Sequence, residues 1–214
     1  MRASAGSVFP AVMAGVIIVG LLLVFYARAT VPGLDATAEA NVQRRAAFGV
    51  YVCDQWVTLP TPPVTAFSEF GVTDLQDGIV LMTSLPDDGA RGPRLGAFLD
   101  AYGMSLNDTA LEVPGDVALE GGPLFEEGTD SCAEGDGLLS VRVWDPASDP
   151  GSGQTFITAF DDVRLPNDAM AFTIAFTPRD TDVPQPPSVA ALQALIAGTP
   201  TEPATGPTTS AVGG

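Results

Sequence analysis

The sequence contains no histidine and no lysine among its 214 residues. Without histidine it cannot build a Ser-His-Asp triad, an imidazole zinc site, a histidine-ligated haem or a histidine pH switch. Without lysine it cannot form a Schiff base or a P-loop. Positive charge is scarce altogether: nine arginines face 26 acids, for a net charge of −17. Nucleic acid is excluded as a partner, because backbone binding needs clustered cations to replace counterions. The two cysteines, Cys53 and Cys132, have no CxxC spacing, which sets aside redox and zinc chemistry. No serine sits in GxSxG, and a cysteine nucleophile would lack its histidine.

What the chain does have, first of all, is an apolar run. Residues 9–26 read FPAVMAGVIIVGLLLVFY, eighteen positions without a charge. At about 1.5 Å per residue this is roughly 27 Å of helix, enough for a bilayer core. Ala27-Arg28-Ala29 also fits a signal-peptide cleavage site, which would leave a secreted domain. The run, however, exceeds the usual h-region of about 7–15 residues. Residues 9–26 are therefore expected to be an uncleaved transmembrane helix, with the lipid bilayer as its partner. The arginine count does not set the orientation, since Arg2 precedes the segment and Arg28, Arg44 and Arg45 follow it. A short head, a long acidic domain and a pair of cysteines favour a cytoplasmic N-terminus and an extracytoplasmic C-terminal domain.

The pattern predicts a head over 1–8, the membrane helix over 9–26, a stalk over 27–47, a β-rich domain over 48–196 and a disordered Thr/Pro/Gly/Ala tail over 197–214. Pro32-Gly33 ends the membrane helix, and the polar, alanine-rich stretch up to residue 47 reads as a helical stalk. Phe48, Val50 and Val52 alternate as in a strand, and Asp77-Gly78 reads as a turn before a second strand bearing Ile79 and Leu81. Leu95, Phe98, Leu99 and Tyr102 follow helical spacing, with Gly103 placed to end the helix. Leu139, Val141 and Val143 predict a strand, as do Phe156, Thr158 and Phe160. Met170, Phe172, Ile174 and Phe176 mark the clearest one. Ser188 is placed to cap a short helix carrying Val189, Leu192 and Leu195. The fold class is mainly β (α+β): a compact, mostly antiparallel β domain with one or two short helices.

Carboxylates are the plentiful functional groups. The densest cluster, Glu126, Glu127, Asp130, Glu134 and Asp136, offers oxygen ligands for Ca²⁺, although its spacing is not that of an EF-hand. The alternative is a solvated acidic loop beside a disulfide. Outside the membrane, Cys53 and Cys132 are expected to form that structural disulfide, the alternative being two buried thiols. Trp56 and Trp144 read as core residues. Asn107-Asp108-Thr109 has the form of a glycosylation sequon.

The motifs FGVYVCDQW, RLGAFLDAYG, the Ser131-Cys132 region, DVRL followed by FTIAF, and VPQPPS carry a resemblance. The chain resembles uncharacterised single-pass membrane proteins of the high-GC Gram-positive (actinobacterial) type over most of residues 46–188. In those proteins the stretch matching Asp77-Gly78-Ile79 is rich in histidine, which implies metal binding there. Here it reads DLQDGIVLMTSLP, with Gln76, Val80, Met82 and Ser84 at such positions, so the resemblance implies that a histidine metal site is absent from this chain. It implies an architecture and no activity.

Together these features lead to the expectation of a membrane-anchored extracytoplasmic module. It would bind an envelope protein or glycan, or play a structural part, with no cofactor, no catalytic residues and no resident metal. The competing expectation is a carboxylate-dependent hydrolase of envelope glycans, which needs only two suitably placed acids.

Overall fold

Strand β1 runs over Gln43–Val52 and so begins within the predicted stalk. The reason is visible in its side chains. Ala46 and Ala47 are both buried, one on each face of the sheet, so the start of the strand shows no apolar alternation. The computed structural model describes residues 42–75, 78–86, 88, 91–115, 117 and 122–198. The head, residues 9–26, the stalk up to residue 41, Gln76, Asp77 and the tail from residue 199 lie outside the described residues. Among the described residues no helix is long and apolar enough to cross a membrane.

The remaining strands are β2 (Gln55–Val57), β3 (Val72–Asp74), β4 (Ile79–Thr83), β5 (Ser105–Leu106), β6 (Ala110–Glu112), β7 (Leu124–Glu126), β8 (Ser131–Cys132), β9 (Gly135–Trp144), β10 (Gln154–Phe156) and β11 (Met170–Pro178). The main sheet has the order β10-β9-β11-β1-β4-β3. Beyond β4, β2 continues along the same edge of β1, and β8 extends the outer edge of β9. Every pair in this sheet is antiparallel except the central one, where β1 and β11 run parallel from Ala46↔Met170 to Val52↔Phe176. Strands β5, β6 and β7 form a separate small sheet.

Among the described residues the three helices are α1 (Ala66–Phe70), α2 (Leu95–Tyr102) and α3 (Val189–Ile196). The predicted α2 and α3 are present, and α1 is the addition, at the end of the proline-rich connection. As expected, α2 ends at Gly103, whose φ of 65° suits a residue without Cβ. Ser188 does not cap α3 through its side chain; its hydroxyl donates instead to the Gly78 carbonyl at 2.8 Å, fastening the helix to the sheet. The strand expected through Phe160 stops at Phe156, and Phe160 opens a 3₁₀ turn instead.

The two faces of the sheet differ in the size of their side chains. On the front, Phe172, Ile174 and Phe176 of β11 join Val50, Val141 and the apolar side of α2. Phe98 of α2 meets Phe172 edge-on, with ring centroids 5.0 Å apart, and Phe48 at 4.9 Å. On the back, Ala47, Ala171 and Ala175 lie beneath Val183 and Leu192. These small residues let residues 179–187 cross the sheet closely, and the Thr173 hydroxyl donates to the Pro184 carbonyl at 2.9 Å. Arg142 secures the same strap through Asp182 and the Val183 carbonyl, while its guanidinium stacks 5.3 Å from the Trp144 ring. Trp144 is buried as expected. Trp56 is 37% exposed and lies over Gly49, where no Cβ would fit.

Two ion clusters pin the loops at the end of the sheet where β1 begins. Asp88, 1% exposed, accepts from Arg94 Nε and Arg164 Nη1, each at 2.9 Å, and from the Leu85 backbone at 3.0 Å. Its burial is compensated by two cations and a backbone donor, as a buried charge requires. Asp168 accepts from the Arg45 guanidinium and from the Arg45 backbone at 2.7 Å, which fixes the turn entering β11. Burial alone would push the Asp168 carboxyl up, but the hydrogen bonds and charge of Arg45 outweigh it and hold the group below its ordinary value. Its stabilisation is therefore complete above the unfolded-state pKa of about 4 and is lost as pH falls through the lower folded value. Asp168→Asn is expected to cost about 1 kcal/mol at pH 7, kept small by solvent screening of a partly exposed pair. Urea denaturation curves of the two proteins should converge below about pH 4.

Candidate functional site

At the opposite end of the sheet, two hairpin tips meet. The first lies between β1 and β2, where Cys53 has a φ of 57° and donates its backbone N–H to the Phe176 carbonyl at 2.8 Å. The second lies between β8 and β9, where Cys132 pairs with Gly135 across Ala133 and Glu134. The disulfide Cys53–Cys132 joins them, with Cα atoms 5.3 Å apart. The pairing is the one the sequence predicts, and in the fold it ties the end of a central strand to the hairpin on the sheet's outer edge. Phe176 lies at the centre of this arrangement. Its ring packs 5.5 Å from Phe125 of the small sheet and covers Gly137, where a Cβ would stand 2.1 Å from ring atoms.

Between the tips lies a cavity of about 390 Å³. Val52, Phe125 and Phe176 supply its apolar parts, while Asp54, Gln55, Asp130 and Ser131 supply polar ones, with the disulfide and Ala133 completing the lining. This combination of apolar wall and a few polar groups is what small-molecule and peptide sites present. The sequence does not reveal it, because Val52 and Phe176 come together only through the parallel pairing of β1 and β11, and Phe125 reaches them from the small sheet.

The five acids of the candidate calcium cluster are distributed around this end and do different work. Glu127 accepts the Leu139 backbone N–H at 2.6 Å, covering the stretch of β9 edge between β8 and β10. Asp130 closes the β7–β8 turn by accepting from the Glu126 backbone at 2.7 Å. Glu126, Glu134 and Asp136 are exposed. Among the described residues no three Asp, Glu or Cys side chains come together as a metal site; the candidate Ca²⁺ acids are divided between backbone contacts and solvent. Val80 and Met82, at positions where the resemblance places histidines, are buried at 0% and 1% and face the front core.

Two further polar groups, Tyr102 and Asp168, are shifted by their surroundings. Burial first, and the neighbouring Asp74 carboxylate second, push the Tyr102 phenol above its ordinary range, so it stays protonated. Asp168 moves down, the wrong direction for the general acid of a glycosidase. Asn107 of the sequon is exposed between β5 and β6, and its side-chain carbonyl accepts from the Thr109 and Ala110 backbones, each at 2.9 Å.

Comparison with family models, with curated proteins and with solved structures returns no match. The site is therefore read from its own geometry.

The disulfide closes a loop with a sequence separation of 79, for which chain entropy gives roughly 4.5 kcal/mol of stabilisation. Replacing both cysteines by serine is expected to lower the unfolding free energy by about 4 kcal/mol, read as a shift in the urea midpoint. Limited proteolysis of that variant should cut first between residues 126 and 136, where the acidic hairpin has lost its tie. A midpoint within error of the parent would overturn this account of the bond.

Proposed function

We propose that the chain is a membrane-anchored, extracytoplasmic binding module without catalytic activity, which holds the disulfide-lined groove away from the membrane. The observation that carries this reading is the position of the groove relative to the chain ends. Val42 enters the sheet at the start of β1, where Ser84 donates to its carbonyl at 3.2 Å. Helix α3 runs towards that same end, where Ile196 and Ala197 share a cavity with Ala147 and Ala169. The groove lies at the other end, beyond Val52 and Phe176. A span over residues 9–26 would thus hold the domain by one end and present the groove at the other.

The disulfide supports an oxidising compartment, since such bonds are rare where thiols are kept reduced. The groove's apolar wall and acidic rim suit an envelope component with an apolar portion and positive charge. The absence of lysine and histidine favours binding over chemistry, and Asp168, held below its ordinary value by Arg45, is not set up as a general acid.

Ala133 is exposed at the groove, so Ala133→Trp fills the groove without disturbing the core. Chain captured from cross-linked, mildly solubilised membranes is expected to carry a discrete partner that the Ala133→Trp chain loses. Recovery of the unmodified chain alone, or the same partner on both, would count against this function.

A further inference from the structure

We infer that the entry end of the domain is itself a bilayer-contacting surface, with Val64 and Phe67 dipping into the lipid interface on one side and Leu195 and Ile196 on the other. This rests on the reading of residues 9–26 as an anchor and goes beyond it, because an anchor alone does not require the domain to touch the membrane. Fifteen residues, 27–41, separate that segment from Val42. Fully extended, they could reach about 50 Å, enough for the domain to stand clear. Contact has to come from the domain's own surface.

That surface has two apolar pairs. Val64 and Phe67, three residues apart, are 100% and 49% exposed at the start of α1. Their level on the sheet is fixed by a chain of backbone bonds: Gly71 donates to Phe67 at 3.0 Å, Thr83 donates to Gly71 at 2.8 Å, and Thr83 pairs with Gln43. They therefore flank the point where the chain enters. On the back of the sheet, Leu195 and Ile196 are 43% and 39% exposed in the last turn of α3. Ile196 shares its cavity with Ala169, whose N–H donates to the Arg45 carbonyl at 3.0 Å. Both pairs thus border the end from which the chain enters and leaves. Apolar side chains surrounding a membrane tether are where a bilayer would shield them from water.

Charge points the same way. Of the seven arginines among the described residues, Arg44, Arg45, Arg91, Arg94 and Arg164 lie at this end. Asp88 and Asp168 neutralise part of that charge, and Glu69, Asp100, Asp145, Asp149 and Asp161 face the rest, Asp100 and Asp161 sharing a cleft with Arg94, which leaves this end mildly acidic. The far end carries Asp54, Glu126, Glu134, Asp136, Asp180 and Asp182, with Arg179 and Arg142 beside the last two. Anionic headgroups repel that end more strongly than the entry end, so one orientation is favoured. Because the tether holds the domain at high local concentration, weak insertion of four side chains suffices.

The test uses the full chain in phosphatidylcholine nanodiscs with bromine high on the acyl chains, against unbrominated lipid. Phe67→Trp and Ile196→Trp, each combined with Trp56→Phe, are expected to lose emission in the brominated discs. The unmodified chain, whose tryptophans are Trp56 at the far end and the buried Trp144, should keep its emission. Adding Phe67→Asp to the Ile196→Trp chain should relieve the quenching. Incorporated chain whose introduced tryptophans emit equally in both lipids, or whose Trp56 is quenched as strongly as they are, would overturn this inference and leave the anchor standing. Chain that fails to enter the discs would overturn the anchor and the inference together.

Discussion

The parallel pairing of β1 with β11 is the constraint on which the rest of the structure depends. One of these strands opens the described chain and the other lies close to its end, yet they share seven paired positions. Their side chains sort the molecule into its two halves. Val50, Phe172, Ile174 and Phe176 build a deep front core that α2 and the small sheet can cover. Ala47, Gly49, Ala171 and Ala175 leave a shallow back on which a bare length of chain can lie. A one-residue slip in this register would exchange the two sets and leave neither face coverable.

An acidic domain with few cations must use its charges sparingly, and the structure shows how. Asp88 takes two of the arginines, Asp168 a third and Asp182 a fourth, each fixing a loop to the sheet. Elsewhere the carboxylates accept from backbone N–H groups instead of seeking cations, as with Glu127 along β9, Asp130 at its turn and Asp108 with the Ala159 N–H at 3.0 Å. A carboxylate accepting such a donor needs no cation partner to satisfy it. Concentrating acids in one hairpin is then tolerable, because two of them stitch it and the disulfide holds it.

The longer local elements were legible in the sequence, whereas the two- and three-residue strands and α1 were not. The runs at Leu95–Tyr102 and Met170–Pro178 display their periodicity with large apolar residues, and the structure contains a helix and a strand there. Cys53 and Cys132 were legible as a pair because no other cysteine competes. What the sequence concealed depends on distance along the chain. Ala46 and Ala47 carry no signature of a strand, since alanine does not announce which side it buries. Trp56 reads as core but lies on the surface over Gly49, filling the place of the side chain that glycine lacks. The groove was hidden for the same reason as the parallel pair that creates it. The acids of residues 126–136 could be listed beforehand, but which of them would bond backbone and which would face water depended on the edge of β9.

The late position of β11 bears on when the domain can close. Whenever the chain is delivered from its N-terminus, β1 emerges first and waits without its inner neighbour, because β9 and β11 are among the last parts to arrive. Such long-range topology folds slowly, since loop closure must precede the contacts that reward it. Until residues 170–178 are present the central pair of the sheet cannot form, and the strand end that sets Cys53 beside Cys132 lacks its neighbour. Sequence order thus acts as a timer on the closing of the sheet.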